Sequence, residues 1–338
     1  MIHLDPAFMQ YERLPRQRLG FFPTPLVELR RLSAMLGGPR IFMKRDDLTG
    51  LAFGGNKTRK LEFLVGEALA QGCDALITGG AEQSNHCRQT AAAAAACGLV
   101  CHLVLGGQAP DVPGGNLLLN ALLGATIHWT GELRKGEKIP EIAEQLRSSG
   151  CKPYIVPYGG SNAIGAAAFV DAVAELQKQI STLGEEVTHI VFATSSGGTQ
   201  AGLVLGEMIY NLKVKLIGIG IDKDETGELP LNQNVIKIAN STAERFGINM
   251  RLRPTDIIIR NEYLGDGYGV VGERERSAIR LTAQSEGILL DPVYTGRAMG
   301  ALIDMIKGQE FSHSDTVLFW HTGGTPALFP YAEELMIK

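Results

Sequence analysis

"THIVFATSSGGTQAGLVLG", residues 188–206, reads as a buried strand, a turn of small residues and a helix, and that reading decides the fold. The run 189–194 is short, apolar and partly β-branched. Ser195, Ser196, Gly197, Gly198 and Thr199 then break it, and an apolar helical stretch follows. The same order recurs along the chain. Strands are expected at 40–44, 74–78, 100–105, 126–129, 153–157, 189–194, 215–221, 256–260 and 316–320. Helices are expected at 58–70, 85–97, 140–149, 162–181, 199–210, 231–246, 272–286 and 295–307. Alternation of this kind builds βαβ units, hence an α/β fold of mostly parallel sheets covered by helices. Open parallel sheets bind ligands beyond the carboxyl ends of their strands, so the loops opening helices are the ones to inspect.

The bulk numbers exclude several classes. The chain has 338 residues, 45% hydrophobic and 20% charged, with a formal net charge of -4. That is the profile of a soluble enzyme-sized protein of about two domains, with a small molecule as partner rather than nucleic acid or an anionic membrane. The first twenty residues carry charges throughout and are not a signal peptide. Residues 89–110 lack charge but change character at Gly98, which reads as a buried helix, a turn and a buried strand, not a membrane span. Five cysteines without a CxxC argue for free thiols in a reducing cytoplasm, with neither a disulfide framework nor a metal site.

Three loops carry chemistry. In "GLAFGGNKTRKLEF", residues 50–63, Lys57 lies four residues before Leu61, on the apolar stripe continued by Leu64, Val65 and Ala68. Arg59 and Lys60 fall on the remaining, solvated face, and Arg59 is spaced to pair with Glu62. A lysine desolvated at a helix N-terminus has a lowered pKa, as a Schiff-base lysine needs. The plainer alternative is a lysine whose head reaches water. Asn56 interrupts a P-loop spacing between Gly50, Gly55, Lys57 and Thr58, which removes the nucleotide triphosphate reading.

The second loop, "GGAEQSNHCRQT", places Ser84, Asn85 and His86 where a helix starts, either as a site for a carboxylate or as simple capping. The third, Ser195 to Thr199, suits a single phosphate monoester or a tight turn. Tyr268 in "DGYGV", Tyr294 and Thr295 in "LLDPVYTGRAMG", and Thr322 in "HTGGTPALF" lie in similar positions towards the C-terminus. Tyrosines so placed are candidate acids, bases or nucleophiles.

Taken together, "KRDDLTGLAFGGNKTRKLEFL", "QSNHCRQTAA", "SSGGTQAGL", "LDPVYTGRAMGALID" and "HTGGTPALF" resemble the pyridoxal-phosphate enzymes of fold type II. The subgroup is that of 1-aminocyclopropane-1-carboxylate deaminase, D-cysteine desulfhydrase and L-cysteate sulfo-lyase, and the resemblance runs from about residue 10 to the C-terminus. It implies a tryptophan synthase β-like architecture of two three-layer domains. Residues 1–55 and 162–338 would form a large pyridoxal 5'-phosphate domain and 56–161 a small inserted one. It also implies a homodimer. Lys57 would carry the cofactor and Asn85 would meet its phenolate oxygen. Ser195, Ser196, Gly197, Gly198 and Thr199 would hold its phosphate. Ser84, Asn85 and His86 would grip the substrate carboxylate, with Tyr268 and Tyr294 facing the substrate and Lys57, Ser84, Tyr268 and Tyr294 the catalytic set.

The family's cyclopropane-opening members carry Glu where this chain has Thr295 and Leu where it has Thr322. A neutral hydroxyl beside the pyridine nitrogen makes a weaker electron sink. The expected reaction is therefore β-elimination from a small sulfur-containing amino acid, D-cysteine foremost, giving pyruvate, ammonia and sulfide. L-Cysteate sulfo-lyase and cyclopropane deaminase activity stand as alternatives, with Lys57 or Tyr294 taking the α-proton. A cofactor-binding protein without catalysis is the alternative of a different class.

Overall fold

The computed structural model describes residues 14–223 and 229–337. The expectation for the N-terminus therefore falls mostly on residues 1–13, outside the described ones. In chain order the elements are β1 Leu26–Glu28, α1 Arg30–Leu36, β2 Arg40–Arg45, α2 Lys57–Ala70, β3 Ala75–Gly80, α3 Asn85–Ala96, β4 Val100–Leu105, α4 Gly115–Leu122 and β5 Thr126–Trp129. There follow α5 Ile139–Ser148, β6 Pro153–Ile155, α6 Ala163–Leu183, β7 His189–Thr194, α7 Gly198–Tyr210, β8 Lys215–Gly220 and α8 Leu231–Arg245. The chain ends with β9 Ile259–Arg260, α9 Glu273–Glu286, α10 Thr295–Lys307, β10 Thr316–His321 and α11 Ala332–Met336.

Two sheets result. The larger has the order β1-β2-β10-β7-β8-β9, the smaller β5-β4-β3-β6. Among the described residues every pairing between these strands is parallel except β1 with β2. β10 sits at the centre of the large sheet, with Leu318 opposite Phe42 on one side and Ile190 on the other. Its strands are buried on both faces, as parallel strands between helix layers must be. On one face Phe169, Leu203, Val204, Val235 and Ala239 from α6, α7 and α8 pack against Phe192, Leu318 and Trp320. On the other, Leu32, Ala278, Met299 and Leu302 from α1, α9 and α10 meet Ile41, Val191, Ile217 and Phe319. The small sheet is covered by α2 and α3 on one face and by Ile139, Ile142 and Ala143 of α5 on the other.

The expected strand 256–260 is the clearest departure. Pro254–Asp256 is instead a 3-10 turn, because Pro254 lacks the N–H a ladder needs, and only Ile259 and Arg260 pair with β8. The short elements β1, α1, α4 and α11 were not expected. The second correction concerns α2, whose polar face does not meet water: Arg59 and Lys60 are buried, 3% and 0% exposed. Arg59 does not pair with Glu62. Its guanidinium meets Asp46 and Glu175, while Glu62 receives Arg16. α2 lies between the small sheet and α6, so both of its faces are interior.

Candidate active site

A cleft lies where the carboxyl ends of β3, β6, β7 and β10 converge. It is lined by residues of all three loops, among them Lys57, Ser84, Asn85, His86, Ser195, Ser196, Gly197, Thr199, Tyr294 and Thr322. Gly198, Tyr268 and Thr295 do not line it and stand behind its wall. Among the described residues no Asp or Glu lines it.

Lys57 is the first residue of α2, and the loop before it is held by main-chain conformation and by α3. Gly55 has φ +128°, and a Cβ there would lie 2.4 Å from Gln89 Nε2, so only glycine fits. Arg88 donates to the carbonyls of Ala52 and Gly54. Gln89 Oε1 accepts from the Thr58 amide at 2.8 Å and its hydroxyl at 2.9 Å. Lys57 Nζ donates to the Gly159 carbonyl at 3.1 Å, and Lys60 Nζ donates to the same oxygen at 3.0 Å. Gly159 has φ +63°, and a Cβ there would sit 2.2 Å from Ser196 Oγ. Burial lowers the Lys57 ammonium to about 8, and contact with Lys60 opposes that shift. Burial and the neighbouring Lys57 charge hold Lys60 well below its ordinary value.

Lys60 therefore belongs to the site. Its Nζ is 3.3 Å from Ser161 Oγ, which lies 2.8 Å from Ser196 Oγ and accepts the Gly198 amide at 3.1 Å. Asn56 Nδ2 donates to Thr199 Oγ1 at 3.2 Å. Hydroxyls, first-turn amides of α7 and an amine thus converge without any anion among them, the donor set that a phosphate monoester takes. Neither Ser161 nor Asn56 is among the site residues expected from sequence: the asparagine belongs to the GGNK pattern and the serine to a GGSN stretch, and the turn after β6 brings the serine to the cradle.

At α3, Ser84 Oγ caps the helix by accepting the Cys87 amide at 3.2 Å. The Asn85 and His86 amides precede the first intrahelical partner and are left for a carboxylate. His86 is buried: Nε2 lies 2.9 Å from Thr78 Oγ1, while Nδ1 has no partner. Burial, with Lys57 and Lys60 nearby, keeps its pKa well below the usual imidazole value. The ring is therefore neutral, and a carboxylate here is met by main-chain amides rather than by an imidazolium.

Tyr268 and Tyr294 form a hydroxyl pair 2.9 Å apart, with rings edge-on at 5.9 Å. Burial holds both phenols well above their ordinary range. Arg134 lies 4.8 Å over the Tyr268 ring and binds Asp222 through both of its terminal nitrogens. The loop carrying Tyr268 is held by buried Arg297, which donates to the carbonyls of Ile221, Gly267 and Val270 and to Glu275. Thr295 is occupied locally: its hydroxyl donates to Asp291 Oδ1 and accepts the Asp291 amide, both at 2.7 Å. Thr322 reaches the cleft wall. Among the described residues no group of three or more His, Cys, Asp or Glu is placed to hold a metal, and no helix is long and apolar enough to cross a membrane.

The residues present fit pyridoxal phosphate: a depressed amine, an anion cradle reached by Lys60 of the same helix, and the buried, partnerless Thr194 Oγ1 and His86 Nδ1 at the cleft. The chain is 42% identical over 329 residues to a D-cysteine desulfhydrase of Klebsiella pneumoniae (strain 342), covering 96% of this chain and 98% of that protein. A solved structure of an ACC deaminase homologue superposes with a TM-score of 0.89 at 36% identity, covering 98% and 99% of the two chains. The processed form of threonine deaminase isoform 2 from Solanum lycopersicum shares the fold, with a TM-score of 0.65 at 14% identity over 97% and 86%. Residues 17–323 match the family described as pyridoxal-phosphate dependent enzyme, and the chain belongs to that family, with the α/β fold of its type II members and pyridoxal phosphate as its cofactor.

Proposed function

We propose that the protein catalyses β-elimination from a small sulfur-containing amino acid, D-cysteine foremost, yielding pyruvate, ammonia and sulfide. The observation that carries this reading is a cleft with an amine depressed to about 8 and, among the described residues, no carboxylate on its walls. When bound, pyridoxal phosphate supplies the electron sink for the pair left behind as the α-proton departs. With no carboxylate among the described residues at the cleft to strengthen that sink, a good leaving group on Cβ has to carry the reaction, as sulfide does. Opening a cyclopropane asks more of it. Likeness over nearly the whole chain to a D-cysteine desulfhydrase supports the same choice.

The residues divide the work. Lys57 holds the cofactor and moves the α-proton, since an amine titrating near 8 is a competent base at neutral pH. Tyr294 keeps its proton and offers it to the departing sulfur, with its hydroxyl held by Tyr268. Ser84 and the first amides of α3 orient the carboxylate. Ser195 to Thr199, with Lys60 and Ser161, hold the phosphate, and Asn85 meets the phenolate oxygen. Thr295 supports the wall through Asp291, and Thr322 lies at it.

We place residues 56–161 as a small domain inserted into a large one formed by 1–55 and 162–338, matching the division of strands between the two sheets. We take the protein to be a homodimer, as the resemblance to its family implies, acting on a small amino acid, and its five free cysteines fit a reducing cytoplasm.

The test is pyruvate formation from D-cysteine, L-cysteine, L-cysteate and 1-aminocyclopropane-1-carboxylate under one set of conditions. D-Cysteine is expected to react fastest. L-Cysteate leading would transfer the assignment to a sulfo-lyase. Rapid turnover of the cyclopropane would show that the electron sink is stronger than its surroundings indicate.

A further inference from the structure

Asn116 opens α4 and is fully buried, yet it does not line the cleft. Its Nδ2 donates to the Gln83 carbonyl at 2.8 Å and to Asn85 Oδ1 at 2.9 Å. Its main-chain amide donates to Gln83 Oε1 at 2.9 Å, and Gln83 Nε2 donates to the Gly114 carbonyl at 3.3 Å. One member of this chain cannot be turned round. A main-chain carbonyl only accepts, so the Gln83 oxygen fixes which end of the Asn116 amide is nitrogen. The second hydrogen of that NH2 then fixes the oxygen of Asn85. The Asn85 Nδ2 is left on the opposite side, close enough to the turn after β10 that a Cβ on Gly324 would lie 2.8 Å from it.

Asn116 is also poorly placed for packing alone. Its Oδ1 is buried without a partner, a cost that an apolar side chain on α4 would not incur. We propose that Asn116 is a positioning residue: it turns the Asn85 amide so that the NH2 faces the cleft as a fixed donor. The inference rests on the reading that Asn85 donates to the cofactor's phenolate oxygen.

The experiment compares purified holoenzymes by the pH midpoint of their visible absorbance band. The variants are Asn85→Ala, Asn116→Ala, Asn116→Asp and the double variant Asn85→Ala/Asn116→Ala. A donor on the phenolate weakens that oxygen's hold on the neighbouring nitrogen-bound proton, so losing the donor raises the midpoint, here by roughly one pH unit. Asn116→Ala is expected to give part of the Asn85→Ala shift. Asn116→Asp, which accepts where Asn116 donates, is expected to give at least as much, and the double variant no more than Asn85→Ala. Should the buried aspartate prevent folding, the alanine series decides. A shift in Asn85→Ala with none in either Asn116 variant, or additive shifts in the double variant, would overturn the positioning role and leave the Asn85 reading intact. No shift in Asn85→Ala would remove that reading and the inference with it.

Discussion

Lys57 and Lys60, one helical turn apart on α2, donate to a single acceptor, the Gly159 carbonyl oxygen, at 3.1 and 3.0 Å. Two ammonium groups on one carbonyl repel each other. Burial acts on both, and at Lys60 the neighbouring Lys57 charge adds to it and holds its pKa well below the ordinary lysine value. Contact with Lys60 keeps Lys57 from falling further. Since only the unprotonated amine attacks an aldehyde, the rate at which apoprotein takes up pyridoxal phosphate is expected to rise with pH through about 8 and level off above it. Stopped-flow absorbance between pH 6.5 and 10 reads this directly. A rate still climbing at pH 10 would mean that Lys57 titrates as an ordinary lysine.

Replacing Lys60 separates its two roles. In Lys60→Met the contact that holds Lys57 up is gone, so the midpoint for cofactor uptake moves below about 8. The phosphate cradle also loses its one amine beside Ser161. A hydrogen bond to a charged group is worth roughly 1.5–3 kcal/mol, so the cofactor Kd is expected to rise about tenfold to a hundredfold. Equilibrium dialysis measures the second effect independently of the first. Unchanged retention would place Lys60 in the packing of α2 alone.

Arg297 is the keystone of the wall that carries the tyrosines. It is 1% exposed and bonds three carbonyls, two of them in the loop around Tyr268, besides Glu275, itself 3% exposed. Arg297→Lys supplies one donor group where four acceptors wait, so the loop loosens and Tyr268 no longer holds Tyr294. The expected result is a fall in kcat of ten-fold or more, with cofactor affinity little changed. Arg297→Met strands the Glu275 carboxylate and is expected to cost about 3–5 kcal/mol in urea unfolding. Equal losses of cofactor and kcat in Arg297→Lys would show a general collapse instead.

These relationships mark where reading the chain in one dimension succeeds. β4 and α10 match their expected limits because the pattern is local: an apolar run for the strand, a helical stripe for the helix. The three glycine-rich loops were legible for the same reason, since a strand, a small-residue turn and a helix start lie side by side in sequence. Arg59 and Lys60 were misplaced because their partners are remote. Asp46 and Glu175 lie 13 and 116 residues from Arg59, and Gly159 lies 99 from Lys60. Helical phase identifies a polar face but not whether another helix covers it. Thr295 shows the converse: its place next to Tyr294 suggested the cleft, yet its hydroxyl closes on Asp291 within the same turn.

The buried ion cluster behind Lys57 ties α2 to α6, and its acid response is the last consequence. Glu175 on α6 accepts from Arg59 at 2.9 Å and from Lys44. Burial alone would raise its pKa, but the hydrogen bonds and charges of Arg59 and Lys44 prevail and lower it from 4.5 to about 2. A carboxylate depressed on folding stabilises the native state fully above its unfolded value. That contribution fades as pH falls from about 4.5 through about 2, and a shift of this size corresponds to about 3 kcal/mol. Glu175→Gln is therefore expected to be less stable than the unaltered protein by that order near pH 7, and the gap should close towards pH 2. Urea unfolding at pH 7, 4 and 2.5 checks it. A gap that stays constant across this range would assign the loss to packing on α6 rather than to the charge on Glu175.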